Sequence, residues 1–267
     1  MAREPGVARP ASTILLLRDN SSTHDIEVFM LVRHREIEFA SGALVFPGGS
    51  VDAGDQDIVN DPVLCAGRDG LDDAMLGFRV AAIRETFEES GILLARPRGS
   101  SDLISAARAG EIADAHRVAL NEGKITFASI LTGNELVLAL DLLVPYAHWI
   151  TPEGMPKRFD TWFFLAAAPP EQVGAHDGRE STDSIWVTPR DALDGNDTGR
   201  FKLPFPTTRN LIKLGKQPNV TSAMSDARGK PIVTVLPIMR KLDGNKRELR
   251  IPIEAGYDGD VFEFGGV

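Results

Sequence analysis

Residues 72–91 constrain this chain more than any other stretch. Asp72 or Asp73 supplies a side chain suited to start a helix, and Gly91 is suited to end one. The residues between them read as a single long helix. At about 100° per residue, Leu76, Val80, Ile83 and Phe87 line one side, which has to be buried. Glu85, Glu88 and Glu89 fall within a sector of about 100° on the opposite side. The fold must therefore cover one stripe of this helix and gather three carboxylates on the other. Unpaired, such carboxylates repel one another and raise each other's pKa, a penalty that a hard divalent cation such as magnesium removes. A solvated helix face accounts for the same triplet, and the helix alone does not choose between the two.

The rest of the composition narrows the choice of partner. The chain has 267 residues, 43% of them hydrophobic, enough for a substantial core in one domain or one domain with an extension. A formal net charge of -9 speaks against general nucleic-acid binding, which needs a basic footprint. It leaves room for a small phosphorylated substrate held by local arginines or a metal ion. Cys65 is the single cysteine, so no intrachain disulfide and no cysteine-based zinc cluster can form. No apolar run approaches the ~20 residues of a membrane-spanning helix, and no apolar stretch precedes Ala11. The expectation is a cytoplasmic protein with neither signal peptide nor membrane partner.

Around the central helix, a coarse pattern of strands and helices emerges. Ser12 to Arg18 and Ile26 to Arg33 read as a hairpin closed by Asp19 to Asp25. Ala43 to Phe46 is a brief strand stopped by Pro47-Gly48-Gly49, and Asp52 to Gly70 reads as a long loop. Further helices are expected over Asp102 to Glu122, Phe127 to Leu131, Pro189 to Leu193 and Pro204 to Gly215. Leu142 to Ile150, Thr161 to Ala168 and Ser184 to Thr188 read as strands. Two β-rich runs flanking Asp243-Gly244 predict a C-terminal hairpin. The mixture places the chain in the α/β or α+β class.

What tips the carboxylate helix toward chemistry is the segment Phe46-Pro47-Gly48-Gly49-Ser50-Val51-Asp52-Ala53-Gly54-Asp55 upstream of it. Together with Arg84-Glu85-Thr86-Phe87-Glu88-Glu89-Ser90-Gly91-Ile92, it resembles the box of the Nudix hydrolase superfamily, G-x5-E-x7-R-E-U-x-E-E-x-G-U, where U is aliphatic. Asp55 stands at the first acidic position and Thr86 where an aliphatic residue is usual. Residues 56–83, 28 in all, stand where the pattern has seven. Three further stretches are similar to the peroxisomal-type acyl-CoA diphosphatase branch and its bacterial relatives. These are Leu31-Val32-Arg33-His34-Arg35 with Ser41-Gly42-Ala43, Trp149-Ile150-Thr151-Pro152 with Arg158 to Phe164, and Trp186-Val187-Thr188-Pro189.

The resemblance implies an α/β/α sandwich around a mixed sheet over residues 1–217, with residues 218–267 as a C-terminal extension bearing the hairpin. It implies a Mg2+- or Mn2+-dependent hydrolase of a nucleoside diphosphate derivative, with CoA or acyl-CoA favoured. ADP-ribose, NADH, a nucleotide, or a catalytically weak binding or regulatory role stay open, and a homodimer is compatible with all of them. Glu88 and Glu89 would be the main metal ligands, joined by the Gly48 carbonyl. Glu85 would be a further ligand or the general base, and Arg84 would orient the carboxylates. Asp55 would act more distantly, or serve simply as a loop aspartate. Glu180, with Asp183 second, is the candidate for a later assisting acid. Arg33 and Arg158 are candidates for substrate phosphate, with structural ion pairing the alternative. His148 reads as a core residue rather than a ligand, and Trp149, Trp162 and Phe163 read as packing residues, with adenine stacking the alternative.

Overall fold

The computed structural model describes residues 6–33, 42–178, 181–244 and 246–265. The first half runs β1 (Arg9–Asp19), β2 (Ile26–Arg33), β3 (Leu44–Val45), β4 (Gly48–Ser50), α1 (Ala53–Asn60), β5 (Cys65–Ala66), α2 (Asp73–Ser90), β6 (Ala95–Pro97), α3 (Ala106–Asn121), α4 (Phe127–Gly133) and β7 (Leu136–Ala139). The second half continues with β8 (Val144–Ile150), β9 (Phe159–Ala167), β10 (Ser181–Val187), α5 (Pro189–Asp197), α6 (Phe205–Leu214) and α7 (Val220–Arg228). Four short strands end it: β11 (Thr234–Val235), β12 (Ile238–Lys241), β13 (Arg247–Arg250) and β14 (Val261–Phe264).

The strand β1 organises the molecule because its side chains alternate between two cores. Ile14 and Leu16 pack on the α2 side with Phe29, Leu31 and Phe164. Leu15 and Leu17 point the other way, toward Leu211 of α6 and Ala223 of α7. Period-two alternation in a strand covered on both faces gives this apolar run, and all four residues are at most 1% exposed. The main sheet has the order β10-β2-β1-β9-β8-β11. β1 lies parallel to β9 along its length, while its other edge is shared: β2 pairs with its C-terminal part and β4 with Ala11, Ser12 and Thr13. That sharing opens the sheet and seats the glycine segment beside α2.

Asp72 caps α2 by accepting from the Met75 N–H at 2.8 Å, and Gly91 ends it with φ 75°. Leu76, Val80, Ile83 and Phe87 are fully or almost fully buried, as their spacing requires. The expected loop over 52–70 is a correction: it contains α1, a 3-10 turn at Pro62–Leu64 and β5. Asp55 closes the first turn of α1 by accepting from the Asp52 N–H at 2.8 Å, and Ile58 and Val59 anchor the helix in the core. Eight residues give too few turns for a periodic signal to stand out.

β5 joins β7 and β6 in a second, three-stranded sheet. The C-terminal hairpin forms as expected, with Ile238 opposite Arg250 and Lys241 opposite Arg247, and β14 adds a third strand. The helix α7, not expected from the pattern, packs Ala223 and Met224 into the second core and takes an N-terminal hydrogen bond from Val220 N–H to Asp19 at 2.9 Å. β11 pairs in parallel with β8 and extends the main sheet by one strand.

Candidate active site

Two segments separated by a spacer meet at one point. The Gly48 N–H donates to Glu89 at 2.8 Å, so the glycine strand β4 lies against the last turns of α2. At Gly49 any side chain would displace Glu85, because a Cβ there would fall 2.4 Å from its carboxylate oxygen. A Cβ on Gly48 would fall 2.3 Å from the Ser12 carbonyl. Gly49 thus lets the backbone approach the carboxylates, and Gly48 lets β4 approach β1.

Arg84 holds the carboxylates in register. Its Nε and Nη2 donate to the two oxygens of Asp55 at 2.7 and 2.9 Å, a bidentate pair in which Asp55 is 0% exposed. Nη1 donates to both Glu85 and Glu88 at 2.9 Å, and Nη2 also reaches the Ser50 carbonyl. Burial alone would lower the Arg84 pKa, but the hydrogen bond to Asp55 and the charges of Glu85, Asp55 and Glu88 raise it above its ordinary value. Asp55 is therefore the anchor of the orienting arginine rather than a loop aspartate.

The carboxylates respond to the same crowding. Burial pushes Glu85 up to about 7; Arg84 opposes the rise and Glu88 adds to it. Burial also raises Glu88 above the ordinary carboxylate range, against the pull of Arg84. Glu85 and Glu88 nonetheless keep 16% and 21% of their side-chain surface accessible, so the cluster opens to solvent. Thr86, the departure from an aliphatic residue, is fully buried and donates its hydroxyl to the Ala82 carbonyl at 2.7 Å, which satisfies its polarity within the helix.

Among the described residues no group of three His, Cys, Asp or Glu side chains stands ready as a metal centre. The carboxylates are turned to Arg84 and to the Gly48 N–H. The donor set itself fits a hard divalent cation: three close carboxylates, two of them destabilised by burial, beside a glycine backbone.

The other expected site residues are more scattered. Glu180 lies outside the described residues, and Asp183 is exposed beside a bulge in β10. Arg33 ends β2, half-buried, with its N–H on the Ala43 carbonyl. Arg158 donates to the Thr151 and Gly6 carbonyls at 3.1 and 2.9 Å, bracing the start of β9 against the N-terminal segment. His148 and Trp149 are buried, as packing residues should be.

One cluster escaped the sequence altogether. Arg117 and Asn121 of α3 donate to the Glu88 carbonyl at 2.8 and 3.2 Å, and Arg117 also donates to Ala175 at 3.0 Å. They cap the C-terminal end of α2, where a cation complements the helix dipole. They also tie it to the segment before β10. Those contacts join residues 29 or more apart, so no local pattern signals them.

A family model described as the NUDT19 Nudix domain matches residues 59–214, more than half of the chain. The chain belongs to the Nudix family. The crystal structure of a NUDIX hydrolase from Alicyclobacillus acidocaldarius superposes with a TM-score of 0.65 at 30% identity, covering 84% of this chain and 99% of that one. The α/β/α arrangement is thus the Nudix fold. A Caenorhabditis elegans protein described as putative nudix hydrolase 7 is 28% identical over 195 residues, covering 71% of this chain and 56% of its own length. The acyl-coenzyme A diphosphatase NUDT19 of Xenopus laevis is 26% identical over 232 residues, 73% of this chain and 61% of its own. The chain spans about three fifths of the length of the curated relatives it matches. Among the described residues of this Nudix chain, no helix is long and apolar enough to cross a membrane.

Proposed function

We propose that this chain is a divalent-metal-dependent hydrolase that cleaves the phosphoanhydride of a nucleoside diphosphate derivative, with CoA or an acyl-CoA as substrate. The observation that carries the reading is the contact between the two halves of the box. Despite a 28-residue spacer, Gly48 and Gly49 lie directly on Glu89 and Glu85. The resemblance to acyl-coenzyme A diphosphatases supports the choice of substrate.

In this reading Glu88, Glu89 and the Gly48 carbonyl hold Mg2+ or Mn2+. When bound, the cation neutralises phosphate charge and lowers the pKa of an attacking water. Glu85, fixed against Gly49, accepts the proton of that water at a carboxylate oxygen. The water oxygen bonds to phosphorus, the bridging P–O bond breaks, and its electron pair leaves with the second phosphate. From CoA the products are adenosine 3′,5′-bisphosphate and phosphopantetheine. Arg84, anchored by Asp55, keeps Glu85 and Glu88 aligned throughout.

The test is a magnesium- and manganese-dependent turnover screen over CoA, acyl-CoA, ADP-ribose, NADH and nucleoside triphosphates. CoA or acyl-CoA should be cleaved fastest, and Glu88→Gln should lose at least a hundredfold of that activity. Faster cleavage of another substrate rejects the substrate assignment. Activity retained within a few-fold in Glu88→Gln rejects the metal assignment.

A further inference from the structure

The sheet carries a row of side chains that leads away from the carboxylates. Gly49 of β4 stands opposite Ser12 of β1, Ser12 opposite Trp162 of β9, Trp162 opposite His148 of β8, and His148 opposite Thr234 of β11. Directly paired residues on neighbouring strands share a face. A Cβ on Gly49 would meet the Glu85 carboxylate, so the whole row lies on the carboxylate side of the sheet. Strands are spaced by about 4.8 Å, which sets Trp162 roughly 10 Å from Gly49, on the order of the separation between phosphorus and base in a nucleotide.

The chemistry along the row suits that distance. Nearest the carboxylates is Ser12, 0% exposed, with a hydroxyl that finds no hydrogen-bond partner among the described residues. An orphan hydroxyl is costly, and it is the kind of group that a bound ligand oxygen satisfies. Next comes Trp162, half-buried, with its indole stacked on the His148 ring at 4.4 Å and 12°. The imidazole cannot swing away. Its Nδ1 hydrogen-bonds Thr234 Oγ1 at 2.9 Å, and its Nε2 pairs with Asp160, which lies on the same face two residues before Trp162. Phe78 of α2 approaches the indole from the helix side at 6.3 Å. Phe78 is two helical turns before Glu85, so the same side of α2 borders both the carboxylates and the indole.

We propose that Trp162, braced by His148, Asp160 and Thr234, is the platform for the nucleobase of the substrate, with Ser12 between platform and carboxylates. This rests on the nucleotide-hydrolase reading above and adds where the base sits. A partly exposed indole held rigid costs little further entropy when a planar ring stacks on it. Such stacking tolerates any base, so it explains affinity for the nucleotide half and leaves selection of the other half to different residues.

The experiment is calorimetric titration of the full chain, without metal, using AMP and ribose 5-phosphate, which carries the same phosphate and no base. Wild-type protein should bind AMP at least tenfold more tightly. Trp162→Leu should erase the difference, and Trp162→Tyr should keep most of it. Equal binding of the two probes by wild type, or a preference for AMP that survives in Trp162→Leu, overturns the proposal. Should Trp162→Leu not fold, saturation-transfer NMR on the unmodified protein decides: adenine protons must receive more saturation than ribose protons, and the reverse overturns it. None of these readings involves turnover. Lost hydrolysis with intact Trp162-dependent binding would reject the catalytic reading alone, and the opposite result would reject only the platform.

Discussion

Two buried arginines, five residues apart on α2, show how differently two sides of this helix are held. Arg84 faces formal charges: Asp55 in a bidentate pair, then Glu85 and Glu88. Arg79 faces only neutral oxygens, donating from one nitrogen to the Leu140 and Leu143 carbonyls at 2.7 and 2.8 Å, with its guanidinium against the Phe164 ring. Their pKa shifts run in opposite directions. Carboxylates outweigh burial at Arg84 and raise it, whereas burial outweighs the distant Asp141 at Arg79 and lowers it. One arginine gathers carboxylates, and the other pins the helix over the sheet. The difference teaches that burial alone does not set an arginine's pKa; the identity of its acceptors does.

Breaking the first arrangement should have the larger effect. Arg84→Met leaves Asp55 buried without a cation, which typically costs about 3–5 kcal/mol of stability. Urea unfolding should show that loss, and Asp55→Leu in the same chain should restore part of it, because both partners are then apolar. A loss below about 1 kcal/mol would mean that the Asp55 pair is not buried as described.

Arg79→Met sharpens the comparison from the other side. It leaves two carbonyls without their donor, a cost of roughly 1–3 kcal/mol. The cost is moderated because Arg79 Nε is itself buried without a partner among the described residues, a defect that the apolar side chain removes. Turnover at saturating substrate should stay within about threefold, since the residue touches only backbone and Phe164. A hundredfold loss of turnover with little loss of stability would put Arg79 in the reaction and dissolve the contrast.

Much of this was legible before any coordinates, and the reason is locality. The limits of α2 were written in Asp72 and Gly91, and its buried stripe in the spacing of Leu76, Val80, Ile83 and Phe87. The hairpin β1–β2 and the C-terminal hairpin each announced themselves by a polar turn between β-rich runs. The box halves were recognisable as fragments, and the fold brought them together at Gly48 and Glu89. What stayed hidden depends on partners far along the chain. α1 is held by the Asp55 contact with Arg84, 29 residues on, and α7 by packing against β8 and β9. The stack of Trp162 on His148 arises from strand register, which fixes two residues as neighbours only once β8 and β9 pair. A strand seen alone leaves both packing and base stacking open for Trp162.

The central claim is that Glu88 and Glu89, gathered with Glu85 against the glycine strand, hold a divalent cation. The most direct measurement is calorimetric titration of the protein with Mn2+ alone, repeated with Glu88→Gln and with Glu111→Gln, an exposed acid on α3, as control. The account predicts saturable binding in wild type, at least tenfold weaker binding in Glu88→Gln, and no change in Glu111→Gln. Equal affinity in wild type and Glu88→Gln would contradict it.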